Sequence, residues 1–209
     1  CEVVAVCDIN SDIFQPGFSV TYYWSHKNIL LENLDIVSVC TPTSTHCRIV
    51  CDCAPHVKAI YCEKPMATSL EECDKMIAAC EKSGTILVIN HQRNFVCPTL
   101  RFSRDIIDSG VHAFALLQHL FGRIDIVNDK LIFRNTVFRM HVEYVPTMDE
   151  HIFEFPLFDN KAKMIPEGVK YIIQLLDGEG LHRINTGWQG REALRLALEF
   201  KEQYEQSKK

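Results

Sequence analysis

The sequence has no apolar run approaching the roughly 18 residues of a membrane-spanning helix, which excludes a helical membrane protein. It has no surplus of basic charge. Net charge is −5 and the isoelectric point lies near 6.0, leaving no electrostatic footprint for a nucleic acid. There is no Cys-x-x-Cys pair, and His26, His56, His91, His119, His141, His151 and His182 show no ligand spacing with carboxylates, so no metal site is expected. No signal peptide is visible, and Cys1 sits inside a strand-like run, so the natural amino terminus is expected upstream of it. Cysteine itself is plentiful: all ten lie between Cys1 and Cys97. Cys7, Cys40, Cys62 and Cys80 occupy apolar positions of expected strands and helices. That pattern reads as buried free thiols in a reducing cytoplasm, against a metal or disulfide cluster drawn from Cys40, Cys47, Cys51 and Cys53.

What the chain does contain is an ordinary globular composition, 47% hydrophobic and 23% charged, in 209 residues that can bury a sizeable core. Short, nearly continuous apolar runs alternate with helical patterns over the first half. Strands are expected at 2–7, 20–24, 35–40, 58–62 and 86–89. Helices are expected from Asn28 to Leu34, from Thr45 to Pro55 with Ser44 or Thr45 as cap, and from Ser69 to Lys82, where Ser-Leu-Glu-Glu72 forms a capping box and Gly84 a stop. This alternation is the signature of a doubly wound α/β parallel sheet. After Cys97 the pattern changes. Helices at 100–107, His112–Phe121, 168–176 and 190–205 flank β-rich runs over 124–158, in which Phe153, Phe155 and Leu157 share a face. Residues 1–99 thus read as one domain and 100–209 as an α+β domain with an open, largely antiparallel sheet, the last helix packing back on the first domain. The open face suggests a homodimer or homotetramer.

VVAVCDIN, CTPTSTH, CEKPMATSLEEC, NHQRNF, DSGVHAFALLQHLFG and GREALRLALEF together resemble the glucose–fructose oxidoreductase/inositol dehydrogenase (Gfo/Idh/MocA) family of NAD(P)-dependent oxidoreductases. The resemblance implies a Rossmann-type sheet, a nicotinamide cofactor and a sugar or polyol substrate. Two features depart from the family pattern. The Gly-rich G-x-G-x-x-G turn that receives the pyrophosphate is missing, together with the strand before it, on the order of 30 residues in all. A sheet segment between Asn94 and Asp108 is missing as well. Without that first strand, its neighbours in the sheet are expected to be unpaired.

The site residues follow from strand ends and from the resemblance. Asp8, with Asn10, ends the first strand, where a carboxylate holds ribose hydroxyls and favours NAD over NADP; capping the next turn is the alternative. Thr41, Pro42, Thr43 and His46 are expected against the cofactor, or as a helix entry. Glu63 and Lys64 end a strand beside the nicotinamide. There Lys64 would hold the substrate oxygen and help relay its proton. Asp108 and His112 lie one helical turn apart, so that Asp108 can orient His112 as general base; a helix end at Gly110 is the competing reading. Ala115 stands where the family often has Asp. Gln92 and Arg93 are placed at the nicotinamide and substrate rim, with a surface ion pair the alternative for Arg93. Three functions follow: a dehydrogenase of a secondary hydroxyl of a sugar, inositol or related polyol; a non-catalytic nucleotide-sensing or scaffold relative; or an NAD-dependent glycosidase working by transient oxidation.

Overall fold

The computed structural model describes residues 2–10, 12, 20–91, 101–102, 107, 111, 114–115, 118, 124–127, 130–133, 143–144, 164–178 and 186–207. The first two apolar runs form β1 (Ala5–Cys7) and β2 (Thr21–Tyr23), paired in parallel. Helix α1 (His26–Ile29) follows, with the Ser25 side chain accepting from Lys27 N at its start. A second parallel sheet, in the order β3-β4-β5, is built from β3 (Ile36–Val39), β4 (Ala59–Cys62) and β5 (Ile86–Ile89). Its register pairs Val39 with Cys62 and Cys62 with Ile89, so all three carboxyl ends share one edge.

The connecting helices lie where the apolar spacing puts them. Helix α2 (Thr43–Cys53) runs into a 3-10 turn, Ala54–His56. It begins two residues earlier than the cap residues suggested. Pro42 is the N-cap, and the Thr45 hydroxyl turns back to Pro42 O and Thr41 Oγ1, each at 2.7 Å. Helix α3 (Leu70–Ser83) has the expected ends. Ser69 Oγ accepts from Glu72 N, and Gly84 stops the helix at φ 73°. Glu72 closes its side of the box on Thr68, one residue earlier than the standard box, accepting from both Thr68 N and its hydroxyl.

Beyond residue 100 the expected 100–107 helix is corrected. Arg101–Phe102 form β6, which pairs in parallel with β9 (Glu143–Tyr144). Helical backbone is present at Ile107, Val111, Phe114, Ala115 and Gln118. Strands β7 (Ile124–Val127) and β8 (Lys130–Phe133) form an antiparallel hairpin. Phe153, Phe155 and Leu157 lie outside the described residues. Helices α4 (Met164–Leu176) and α5 (Gly187–Ser207) complete the chain.

Alternate residues of β4 and β5 face opposite sides, as the two-residue period requires. Ile60, Cys62, Leu87 and Ile89 join the buried residues of α2, α3 and α5 in the main core, with Val111, Phe114 and Ala115. Ala59, Tyr61 and Val88 face Ile172 of α4 on the other side. Helix α5 is capped reciprocally: Gln189 N donates to Thr186 Oγ1 and Thr186 N to Gln189 Oε1. It returns to α3 through an Arg191–Asp74 ion pair and a Trp188–Glu81 hydrogen bond. Its two early glycines allow the approach. A Cβ on Gly190 would sit 2.6 Å from Ile89 Cγ1 and 3.3 Å from Met66 Sδ.

Among the described residues, β1 of the first sheet and β3 of the second are not joined by hydrogen bonds. The two halves meet through α1 and α2, where His26 Nε2 lies 2.8 Å from Asp52 Oδ2. Strand β1 is half-buried along its length, and Val3 and Val4 before it are 63% and 42% exposed. No helix among the described residues is long and apolar enough to cross a membrane.

Candidate active site

The shared edge of the second sheet gathers three short segments: Cys40–Thr41–Pro42 after β3, Glu63–Lys64–Pro65 after β4, and Asn90–His91 after β5. Ligands of open α/β sheets bind at such an edge. The strand pairing continues one step beyond the strands themselves. Glu63 N donates to Val39 O at 2.9 Å, and Asn90 N donates to Cys62 O at 2.7 Å. Lys64 is therefore delivered half-buried between two neighbours whose backbones are already tied. The Lys64–Pro65 peptide is cis.

His46 binds two of these segments together. Its Nε2 is 2.7 Å from Thr41 O, and its Nδ1 is 3.0 Å from Pro65 O and 3.3 Å from Met66 O. The ring is only 1% exposed. His46 is expected from sequence against a cofactor; in the structure both of its ring nitrogens face main-chain oxygens, those of Thr41 on one side and of Pro65 and Met66 on the other. Thr41 and Thr43 are half-buried and Pro42 exposed at the entry of α2.

Glu63 is held from two sides. One oxygen accepts from Asn90 Nδ2 at 2.5 Å, the other from Lys64 N at 3.1 Å. Asn90 in turn accepts from the Tyr61 hydroxyl at 2.6 Å. Burial, then the charge of Glu63, raises the Tyr61 phenol far above its ordinary range, so it remains an O–H donor. Beside Lys64 lies His91, 1% exposed. Burial first and the Lys64 charge second bring its pKa down to about 3, so the imidazole is neutral at physiological pH. Sequence reasoning sorted histidines by metal spacing and so passed over His91, and it gave Asn90 no role. The usable signal was their place directly after a buried strand.

On the first sheet, Asp8 follows β1 with its N–H on Tyr23 O, and its Oδ1 accepts from Asn10 N at 2.8 Å. One carboxylate oxygen therefore performs the turn-capping role weighed from sequence. Asn10 is exposed. Asp108, His112, Gln92 and Arg93 lie outside the described residues.

The edges present a carboxylate at Asp8, able to accept from a diol, and a carboxylate beside an ammonium at Glu63 and Lys64. Among the described residues, no group of three or more His, Cys, Asp or Glu side chains could hold a metal ion. The eight described cysteines are free thiols. Burial is the leading cause that pushes Cys47 up to about 11 and Cys53, Cys73 and Cys80 up to about 12.

Residues 1–91 match the model of a family described as an oxidoreductase family with an NAD-binding Rossmann fold. A 2,7-anhydro-N-acetylneuraminate hydratase of Mediterraneibacter gnavus is 34% identical over 88 residues, 42% of this chain and 23% of the hydratase. A myo-inositol 2-dehydrogenase of Thermotoga maritima is 33% identical over 96 residues, 44% of this chain and 29% of that protein. A D-xylose 1-dehydrogenase (NADP(+)) of Haloarcula marismortui is 30% identical over 112 residues, 54% and 31% of the two chains. The matched segment spans less than a third of the length of each of these relatives. Among solved structures, the WlbA dehydrogenase from Bordetella pertussis, in complex with NADH and UDP-GlcNAcA, superposes with a TM-score of 0.69 at 16% identity, over 99% of this chain and 89% of that one. A putative oxidoreductase from Bacillus subtilis gives 0.74 at 12% identity, over 99% and 90%. At such identities the structural likeness speaks for the fold alone.

Proposed function

We propose that the chain belongs to the Gfo/Idh/MocA oxidoreductase family, whose model with an NAD-binding Rossmann fold residues 1–91 match, and that the whole protein is a nicotinamide-dependent dehydrogenase. It acts on a secondary hydroxyl of a sugar, inositol or related polyol. The observation that carries the reading is Lys64, set half-buried at the carboxyl end of β4 between the Thr41–Pro42 turn and Asn90–His91. Asp8, Asn10, Thr41, Pro42, Thr43, Glu63 and Gln92 hold the cofactor, which supplies the hydride acceptor when bound. The Asp8 carboxylate favours NAD, since a 2′-phosphate would meet its charge. Lys64 donates a charged hydrogen bond to the substrate oxygen. His112, oriented by Asp108, takes the hydroxyl proton, and Arg93 contacts the substrate rim.

In this reading a further parallel strand with a pyrophosphate turn would lie between β1 and β3, which the described residues leave unjoined. Division near residue 99 separates this cofactor domain from a substrate domain that includes β6 to β9. The test uses full-length protein with NAD+ against a panel of sugars and inositols. Lys64→Ala is expected to lower kcat by about 100-fold or more while NADH still binds. Normal turnover of Lys64→Ala at saturating substrate would sink the assignment.

Two other readings each have an observation behind them. Relatives named as hydratases of 2,7-anhydro-N-acetylneuraminate are in line with an NAD-dependent glycosidase that works by transient oxidation; release of a free aglycone without net NADH accumulation identifies it. The broken sheet favours a non-catalytic sensor or scaffold, identified by a full-length protein whose melting midpoint NADH leaves unmoved.

A further inference from the structure

We infer that Tyr61 and Asn90 form a directed hydrogen-bond relay that fixes the Glu63 carboxylate and, through it, the main chain presenting Lys64. Both are positioning residues; neither touches substrate or cofactor. The inference rests on the catalytic reading of Lys64 given above.

Register creates the relay. Cys62 pairs with Ile89, and Asn90 N then reaches Cys62 O, so the Asn90 side chain leaves β5 beside Glu63. Chemistry fixes its direction. An ionised carboxylate only accepts, so the Asn90 amide must present Nδ2 to Glu63 Oε1, and its Oδ1 therefore faces Tyr61. The Tyr61 hydroxyl, 2.6 Å away, must donate. Glu63 Oε2 accepts the N–H of Lys64, which closes the chain on the residue that matters. Tyr61 and Asn90 are 5% and 3% exposed, and neither polar group has bulk water as an alternative partner. The Tyr61 residue packs with Ile172 of α4, so the far end of the relay is anchored in the second core. Among the described residues, the other ionisable groups around it are Cys40 next to Tyr61 and His91 next to Lys64.

The critical variant is Asn90→Asp, which keeps shape and the Tyr61 bond but replaces the donor facing Glu63 by an acceptor. Two carboxylates then oppose each other at neutral pH and share a proton in acid. Relative to wild type, with His91→Gln in both backgrounds to remove that histidine's titration, its melting penalty is expected to be large at pH 8 and to shrink towards pH 5. Glu63→Gln in the same chain returns a donor to the pair and is expected to recover most of the loss at pH 8. A penalty equal at both pH values and unrelieved by Glu63→Gln would show that Asn90 only fills space, and the relay would be refuted. Tyr61→Phe tests positioning in the full-length protein: kcat falls about tenfold while the Kd for NADH changes less than twofold. Unchanged kcat overturns the positioning role. If wild type binds no NADH and turns nothing over, the proposed function fails, while the melting series still decides whether the relay exists.

Discussion

Gly190 offers a competition between two terms of known size. It lies in the first turn of α5, and alanine there gains about 1 kcal/mol of helix propensity over glycine. Against this, the new Cβ meets Ile89 Cγ1 at 2.6 Å and Ile89 Cβ at 3.2 Å. Ile89 is fully buried and β-branched, stiff at χ1, and its strand continues into Asn90. Neither partner can swing aside cheaply, so overpacking falls towards the upper part of its usual range, about 2–3 kcal/mol. The net loss is about 1–2 kcal/mol, which for a chain of this size lowers Tm by roughly 2–8 °C. Gly187→Ala is the internal comparison. Its Cβ would meet Ile77 Cγ1 and Leu87 Cδ2, each at 3.0 Å, both of them side-chain atoms beyond Cβ, so a smaller loss is expected. Thermal unfolding of the two variants beside wild type reads the difference directly. A Tm for Gly190→Ala equal to or above wild type would mean that α5 does not press on β5 as described.

Two further outcomes follow from the buried groups. His91 in the unfolded chain takes a proton near pH 6.5, whereas the folded protein resists it until about pH 3. Its contribution to stability is complete above pH 6.5 and is lost as pH falls through that window, at about 1.4 kcal/mol per pH unit. Denaturant unfolding at pH 7 and pH 5 should therefore show wild type losing about 2 kcal/mol more than His91→Gln; equal losses would refute the buried neutral ring. Maleimide labelling of the native protein followed by peptide mass analysis should modify exposed Cys40 first among the eight described cysteines, with Cys53, Cys73 and Cys80 reacting only after denaturation. Early labelling of Cys73 or Cys80 would contradict their burial.

The strands of the first half were legible because β4 and β5 are covered on both faces and so read as unbroken apolar runs. The ends of α3 were legible because Ser69 and Gly84 are local signals. Elsewhere the determining contacts were not local. Helix α4 begins at Met164, four residues before the start expected at 168. Pro166 is tolerated because the first-turn N–H groups have no helical acceptor anyway. Helix α5 begins at Gly187, its glycines chosen for closeness to β5 and its start marked by Thr186 and Gln189. Arg101–Phe102 became a strand because a partner some 40 residues later, Glu143–Tyr144, was available to it. At the site, Lys64 was legible from its motif. The relay behind it was not, since Tyr61 and Asn90 meet only once β4 and β5 are in register.

The return of α5 to β5 and α3 also sets an order on biosynthesis. One face of the β3–β5 sheet keeps Leu87, Ile89 and Met66 bare until Gly187–Ser207 has left the ribosome. On the order of 100 residues separate these partners, which at roughly 5–20 residues per second is about 5–20 s of elongation. The sheet is made before the helix that seals it, so the nascent chain carries an exposed sheet face over about 100 residues of elongation, and chaperones have that interval to act on it.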